Sequence, residues 1–337
     1  MRKSMKTRKR IASVLCICMM CGAGMTAGAQ EKVYEIKMTS TDPGTTVWHT
    51  EHLAMADRIR ERTDGHVDIQ FYGNGEMLVY DEGIEAVMSD ASVFYFTDPS
   101  LFVDYCPQLK TICAPYLWEN YAEVETFNES ELYQNILAEA ASQNLHAVSP
   151  LTVVGTRHIL ADKPITSVED CKGLAIRVPG SEIYVDTFDA FGCNYQGLPF
   201  SEVYSALETG MISAVEITAG NLVGLRPDES MKGDKYYSLN CHMVNLAGIW
   251  CGEGFWNSLP EEYQQIITEE IAVSTKAINK TVDDNAEMDL KAIEDLGITI
   301  VEVPDKTSFQ DAVAGMNEKM ADWDEISAKV REIREAQ

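Results

Sequence analysis

Strand-period and helix-period segments alternate along this chain, and they do so twice. Val33–Thr39 ("VYEIKMT") has a strand pattern, and "TVWHTEHLAMADRIRERTDG" follows as an amphipathic helix with Leu53, Ala56 and Ile59 inward, closed by Gly65. "HVDIQFYG" alternates as a strand, "DEGIEAVMSD" reads as a short helix, and "ASVFYF" returns as a strand. This is βαβαβ order, which implies an open α/β sheet because parallel strands need a crossover between them.

The second half repeats the pattern. "ITSVEDCKG" contains a Thr166-x-x-Glu169 capping box, and "GLAIRVPG" is a short apolar strand stopped by Pro179-Gly180. "SEIYVDTFDAFG" is a helix ended by Gly192, "CNYQGLP" is strand-like, "FSEVYSALETG" is a helix ended by Gly210, and "MISAVEIT" is again a strand. Two such halves predict two α/β lobes; no tandem repeat is visible. From Asn257 to Gly297 the pattern is helical and nearly unbroken, with Asn257 or Ser258 as cap, Pro260 in the first turn and two glutamates to suit the dipole. A helix that long, or two in succession, exceeds what one small lobe can cover, so it is expected to brace both. "ITIVEVP" supplies a last strand before a final acidic helix.

Residues 1–29 read as a signal peptide: six basic residues, an apolar run from Ile11 to about Met25, then Ala27-Gly28-Ala29 as the cleavage signal. The run is short and interrupted by glycine, unlike a spanning helix of about 20 residues. The expected product is a periplasmic protein cut after Ala29. Lipid anchoring through Cys21 is the alternative, with Met19-Met20 a poor approach to it. The whole chain has 337 residues with 27 Lys and Arg against 53 Asp and Glu, a formal charge of −26. Losing the basic leader makes the remainder more acidic still, which disfavours nucleic acid and anionic membrane as partners. Any bound anion needs a local basic pocket. Six cysteines lie beyond the leader (Cys106, Cys113, Cys171, Cys193, Cys241 and Cys251), with scattered spacings and no CxxC, so no pairing follows from them.

Enzyme templates fit badly: there is no GxSxG, HExxH, Walker loop or GxGxxG after a strand. His49 and His52 lie three apart on one helix, but two ligands do not make a zinc site. No cofactor and no metal are expected. Two arginines stand out. Arg177 sits near the carboxyl end of an apolar strand, where open α/β sheets place their ligands. Arg157 lies in "LTVVGTRHILADKP". A buried guanidinium needs an anionic partner, and it grips a carboxylate through two parallel hydrogen bonds. Residue type and position fit a ligand or an internal Arg–Glu pair equally.

"DCKGLAIRVPGSEIYVDTFDAFG", "LPFSEVYSALETGMISAVE", "FWNSLPEEYQQII", "HTEHLAMADRIRERTDGHVDIQFYGNGEM" and "GTRHILADKPITSVED" together resemble the substrate-binding subunits, DctP-type, of tripartite ATP-independent periplasmic (TRAP) transporters. The resemblance spans essentially everything after the leader. It implies a two-lobed α/β periplasmic binding protein fold with a mixed sheet in each lobe, hinge strands and a long bracing helix. The implied lobes are 30–153 with about 243–282 returning, and 154–242 with about 283–337 returning. The implied function is capture of a small organic acid and delivery to an ion-gradient-driven TRAP permease; a monomer is expected. Arg177 falls where the family's arginine pairs with the ligand carboxylate, and Arg157 matches the arginine of a G-x-R strand, in direct or supporting contact. The family's common "DGQENP" run reads "SAVEIT" here: Glu216 stays, Ile217 stands where an asparagine is frequent, and Asn221 offers an amide one turn later. Phe200 matches a ring-stacking position, and His49 a histidine near the first helix start. Trp48, Tyr80, Tyr95 and Tyr195 are further candidates for the pocket wall. The competing readings are an exported ligand-sensing receptor for a signalling system and a secreted hydrolase.

Overall fold

The computed structural model describes residues 32–41, 44, 46–78 and 80–337; the expected leader 1–29 and Cys21 lie outside them. The first alternation builds β1 (Tyr34–Thr39), α1 (Val47–Arg62), β2 (Val67–Tyr72), α2 (Asp81–Met88) and β3 (Val93–Thr97). β1 pairs in parallel with β2 on one side and β3 on the other. Helix α1 buries Trp48, His52, Met55, Ala56 and Ile59. Leu53, expected inward with Ala56 and Ile59, is instead 46% exposed. It follows His52 by one residue, and one residue turns a helix by about 100°, so the stripe set by His52, Ala56 and Ile59 carries Leu53 off its edge. A turn at Pro99–Phe102 leads to α3 (Gln108–Thr111), α4 (Tyr121–Asn128), α5 (Glu131–Ser142) and β4 (Leu145–Ala147).

The second alternation comprises β5 (Thr152–Ala161), α6 (Val168–Cys171), β6 (Ala175–Val178), α7 (Glu182–Ala190), β7 (Asn194–Gly197), α8 (Val203–Thr209), β8 (Ala214–Thr218) and α9 (Ala219–Leu225). The capping box before β6 is one residue later than expected, with Ser167 and Asp170 in place of Thr166 and Glu169. Asp170 also accepts from the Thr166 backbone at 2.8 Å, so one carboxylate serves two frayed donors. After β9 (Tyr236–Gly252) come α10 (Glu253–Ser258), α11 (Glu261–Asp295), β10 (Thr299–Val301), α12 (Thr307–Asn317) and α13 (Trp323–Glu335). The long helical run is thus two helices. Asn257 and Ser258 end the short one rather than capping the long one, and Pro260, which has no N–H to satisfy, stands at the N-cap of α11. The single final helix expected is a pair, α12 and α13.

β9 joins the two halves. Among the described residues the strands run β2-β1-β3-β9-β5-β8-β6-β7, with β4 and β10 also on β9. Residues Tyr236 to Ala247 of β9 pair antiparallel with β5, and Gly248 to Gly252 pair with β3 and β4. One strand therefore belongs to both sheets, which makes the fold two-lobed α/β with mixed sheets. The β5–β9 ladder slips register at Val153/Gly155 and again at Arg157/Ile159, and such bulges bend the strand that carries them. At the first slip the Val153 N–H leaves the ladder and donates to Asn279 Oδ1 of α11 at 2.9 Å.

Helix α11, 35 residues long, buries Ile267, Ile271 and Ile278 in the apolar cluster of the first half and Ile293 in that of the second. It braces both, as its length required. Two arginines of α1 tie the first half to it: Arg58 Nε to Glu270 at 2.7 Å and Arg62 Nη1 to Glu270 at 2.8 Å.

Two buried histidines make the fold acid-sensitive. His52 packs edge-on against Phe71 and Phe96, and His158 accepts a hydrogen bond from the Cys241 N–H at 3.2 Å. Burial pulls each down to about 3 from 6.5. A depressed folded-state value means stability is whole above the unfolded value and is lost as pH falls from about 6.5 toward 3. Each histidine is expected to cost about 2 kcal/mol at pH 5 relative to pH 7. Urea melts at the two pH values check this; a His52→Phe, His158→Phe double variant should lose the part of the difference these two contribute, leaving the smaller part from His242 and His146.

Candidate ligand-binding site

Strand β6 ends in Arg177-Val178 and is stopped by Pro179, which sets the guanidinium at the carboxyl edge of the sheet. The side chain is 4% exposed. Its Nε donates to the Leu198 carbonyl at 2.9 Å, just past the end of the parallel partner β7, and its guanidinium carbon lies 5.4 Å from the centre of the Phe200 ring. Among the described residues no carboxylate pairs with it. Burial therefore dominates and pulls Arg177 down to about 10, with Glu216 opposing at longer range.

Arg157 of β5 is the opposite case. Its guanidinium grips both carboxylate oxygens of Glu216 on the neighbouring strand β8, a bidentate pair with Nη2–Oε1 at 2.5 Å. Burial alone would raise Glu216, but the Arg157 charge outweighs it and holds the carboxyl at about 2. The remaining donor, Nη1, reaches Asn245 Oδ1 on β9 at 2.6 Å. Asn245 Nδ2 donates to Tyr184 Oη at 3.3 Å, and Tyr184 Oη donates to Asp98 at 2.7 Å. His242 adds an imidazole 3.5 Å from Glu216, kept below its usual range by burial. This chain of contacts runs from β8 through β5, β9 and α7 to Asp98, the residue after β3. Ser100 Oγ and Ser181 Oγ meet at 2.7 Å beside it.

Between these elements lies a cavity of about 140 Å³. Seven of the sequence candidates line it: Arg177, Arg157, Phe200, Asn221, Ile217, Tyr95 and Tyr80. Ile217 presents an apolar wall where the family motif would put an amide. Asn221 opens helix α9, its N–H donating to Thr218 Oγ1 at 3.3 Å, and its Oδ1 is buried with no partner among the described residues. Tyr95 is held by close approach: a Cβ on Gly83 would stand 2.6 Å from the ring, so only glycine fits there, and Tyr95 Oη accepts from the Tyr80 N–H at 2.9 Å. Gly83→Ala is accordingly expected to displace Tyr95 and lower the melting temperature, measurable by calorimetry.

Four candidates lie elsewhere. Glu216 is fully buried behind the wall, spent on Arg157. His49 packs on Phe71 with its ring centre 4.9 Å away. Trp48 lines a different cavity, about 400 Å³, on the other face of α9. Tyr195, in β7, is also outside the wall. Asp98, Ser181, Tyr184 and Asn245 do line the cavity and escaped the sequence reading. The signals for them were the same that flagged Arg177: Asp98 follows β3, Ser181 and Tyr184 open the helix after β6, and Asn245 interrupts an apolar run.

The sequence profile of the bacterial extracellular solute-binding proteins, family 7, matches residues 38–324. The chain belongs to that family. It is a DctP-type binding protein of TRAP transporters, not an enzyme. The C4-dicarboxylate-binding periplasmic protein DctP of Rhodobacter capsulatus is 24% identical over 271 residues, 80% of this chain and 77% of that one. A TRAP periplasmic solute-binding protein from Desulfovibrio salexigens, solved with diglycerolphosphate, aligns with a TM-score of 0.86 at 26% identity over 90% of this chain and 98% of that one. A second, from Fusobacterium nucleatum with sn-glycerol-3-phosphate, gives 0.85 at 26% identity over 90% and 99%. Among the described residues of this DctP-type protein no helix is long and apolar enough to cross a membrane.

Proposed function

We propose that this protein captures a small hydroxylated organic acid in the cavity of about 140 Å³ and hands it to a TRAP permease. The observation that carries this reading is Arg177: a buried cation in the cavity wall, paired with no carboxylate among the described residues. A ligand carboxylate would complete it, and in a water-poor cleft the pair is stronger than in solvent. Asn221, with its unpartnered amide oxygen, and the tyrosines around it suit ligand hydroxyls, while Phe200 and Ile217 cover the carbon skeleton. Arg157, Glu216 and Asn245 act as a rigid brace behind Arg177, with Arg157 reaching the ligand only through an edge already half engaged.

Charge supply selects between anions. The Fusobacterium relative holds sn-glycerol-3-phosphate, a phosphate monoester, and a monoester dianion wants two cations. Here Glu216 consumes the charge of Arg157 and leaves Arg177 the one unpaired cation among the described lining residues. A single carboxylate balances it. The lobes are taken as 30–153 with about 243–282 and 154–242 with about 283–337; β9 changes partners between Ala247 and Gly248, five residues beyond the 242/243 boundary. The leader is removed after Ala29, and the product works outside the cytoplasm as a monomer.

Isothermal calorimetry against hexuronates, aldonates and short hydroxy acids tests the reading. At least one acid should bind, at least about tenfold more tightly than sn-glycerol 3-phosphate, the equivalent of about 1.4 kcal/mol. Its carboxamide should not bind. Equal binding of acid and amide would remove Arg177 as the anchor.

A further inference from the structure

Cys171 ends helix α6 and Cys193 precedes strand β7, twenty-two residues apart in sequence. The fold closes that distance. β6 and β7 pair in parallel with Ala175 opposite Asn194, and ahead of that register the Gly173 N–H donates to the Gly192 carbonyl at 2.8 Å. Both glycines have positive φ, +71° and +76°, so the two turns that bring the cysteines together are conformations few other residues adopt. Cys171 and Cys193 are both free thiols in the structure, close enough that Cys171 pushes the Cys193 thiol up. Both are buried in one apolar cluster with Ile176, Phe188 and Phe191.

The other four cysteines have different surroundings. Cys106 donates to Gln108 at 3.4 Å, Cys113 to Asp98 at 3.4 Å and Cys241 to the Leu239 carbonyl at 3.5 Å. Cys251 is enclosed in the cluster of the first half. The hydrogen bonds of Cys106, Cys113 and Cys241 all go to oxygen rather than to another thiol.

We propose that Cys171 and Cys193 form a disulfide that staples the segment carrying the ligand anchor. The closed loop contains all of β6, Pro179-Gly180 and α7, and with them Arg177, Ser181 and Tyr184 of the cavity wall. Cross-linking a loop of this length removes conformational freedom chiefly from the unfolded chain. The chemistry is exchange with a small-molecule or protein disulfide as oxidant. One cysteine thiolate attacks the oxidant and releases one thiol; the second attacks the mixed disulfide, forms the Sγ–Sγ bond and releases the other. Two S–H bonds are lost, and two electrons and two protons leave with the reduced thiols. Attack requires a thiolate, which burial and the neighbouring thiol disfavour at Cys193. The bond therefore forms while the chain folds in an oxidising compartment, before this core closes. That compartment rests on the export proposed above; the bond itself does not depend on the ligand reading.

The test is refolding of the purified protein from denaturant in oxidised and reduced glutathione, then alkylation and tryptic mapping without reductant. Lys172 and Arg177 lie between the two cysteines, so trypsin leaves two peptides joined only by the bond. A Cys171–Cys193 peptide pair, two hydrogens lighter than its parts and split by dithiothreitol, is expected. The refolded wild type should melt several degrees higher without reductant than with it, and Cys193→Ser should melt alike in both. Recovery of both cysteines alkylated, linkage of either to another cysteine, or a melting temperature indifferent to reductant would overturn the proposal. Should Cys193→Ser fail to fold, the wild-type peptide map decides alone.

Discussion

Arg177→Ala is expected to abolish acid binding while leaving the unliganded protein as stable as before, or more so. The two effects have different origins. In the complex, truncation leaves a ligand carboxylate desolvated and unpaired, which costs on the order of 2–5 kcal/mol, about 30- to 5,000-fold in Kd. In the free protein the guanidinium is itself the unpaired buried charge, its value pulled down to about 10 by desolvation. Removing it relieves that penalty. Calorimetric titration and thermal melting of the same preparation separate the two. Arg177→Lys should recover only part of the affinity, because an ammonium lacks the fork that engages both carboxylate oxygens. A variant that binds the acid normally, or one that loses binding only because it no longer melts cooperatively, would show Arg177 to be structural.

Glu216→Ala should act in the reverse sense. It strands Arg157 in an environment where that side chain is 6% exposed, and breaking a buried pair from one side costs about 3–5 kcal/mol. The melting temperature should fall by roughly 10 °C. Replacing both partners with apolar residues (Arg157→Met with Glu216→Leu) should restore most of the loss, since no charge is then left buried. The pH dependence adds a check. Glu216 is held at about 2 from a usual 4.5, so its contribution is complete above about 4.5 and is lost only as pH falls through about 2. Wild-type losses between pH 6.5 and 5 therefore belong to the buried histidines, His52 and His158 foremost, with His242 and His146 lowered by burial in the same direction. Glu216→Ala should keep the part of that slope due to His52 and His158, deepen the part due to His242, which loses the carboxylate that favours its protonation, and lie below the wild type throughout. Urea melts from pH 5 to 8 on both proteins would show it; a slope that vanishes with Glu216 would contradict the assignment.

Much of the architecture was legible because periodicity is local. The alternations from β1 to β3 and from β6 to β8 announce themselves within windows of four to sixteen residues. β9 did not. Its carboxyl-terminal two-thirds is buried on both faces, so no polar residue marks every second position, and "YYSLNCHMVNLAGIWCG" offers no period to read. The caps were misplaced by a residue or a turn for a related reason: Thr166 and Ser167 both suit a cap, and only the path of the chain into α6 decides which becomes one.

For the site, sequence alone determined that a guanidinium would stand at the carboxyl end of an apolar strand, since strand polarity and the Pro179 stop are written in adjacent residues. It also determined that an acidic chain would need a specific cation to hold an anion. Whether Arg177 or Arg157 remains available was decided only by tertiary structure. Glu216 lies 59 residues from Arg157 and 39 from Arg177 in the chain; its strand β8 is flanked by the strands of both arginines, with Val215 opposite Arg177, and Glu216 engages Arg157. Asp98, Tyr184 and Asn245 join the same wall from three separate elements. Pairing energies depend on ångströms in space, and a sequence lists neighbours along a thread.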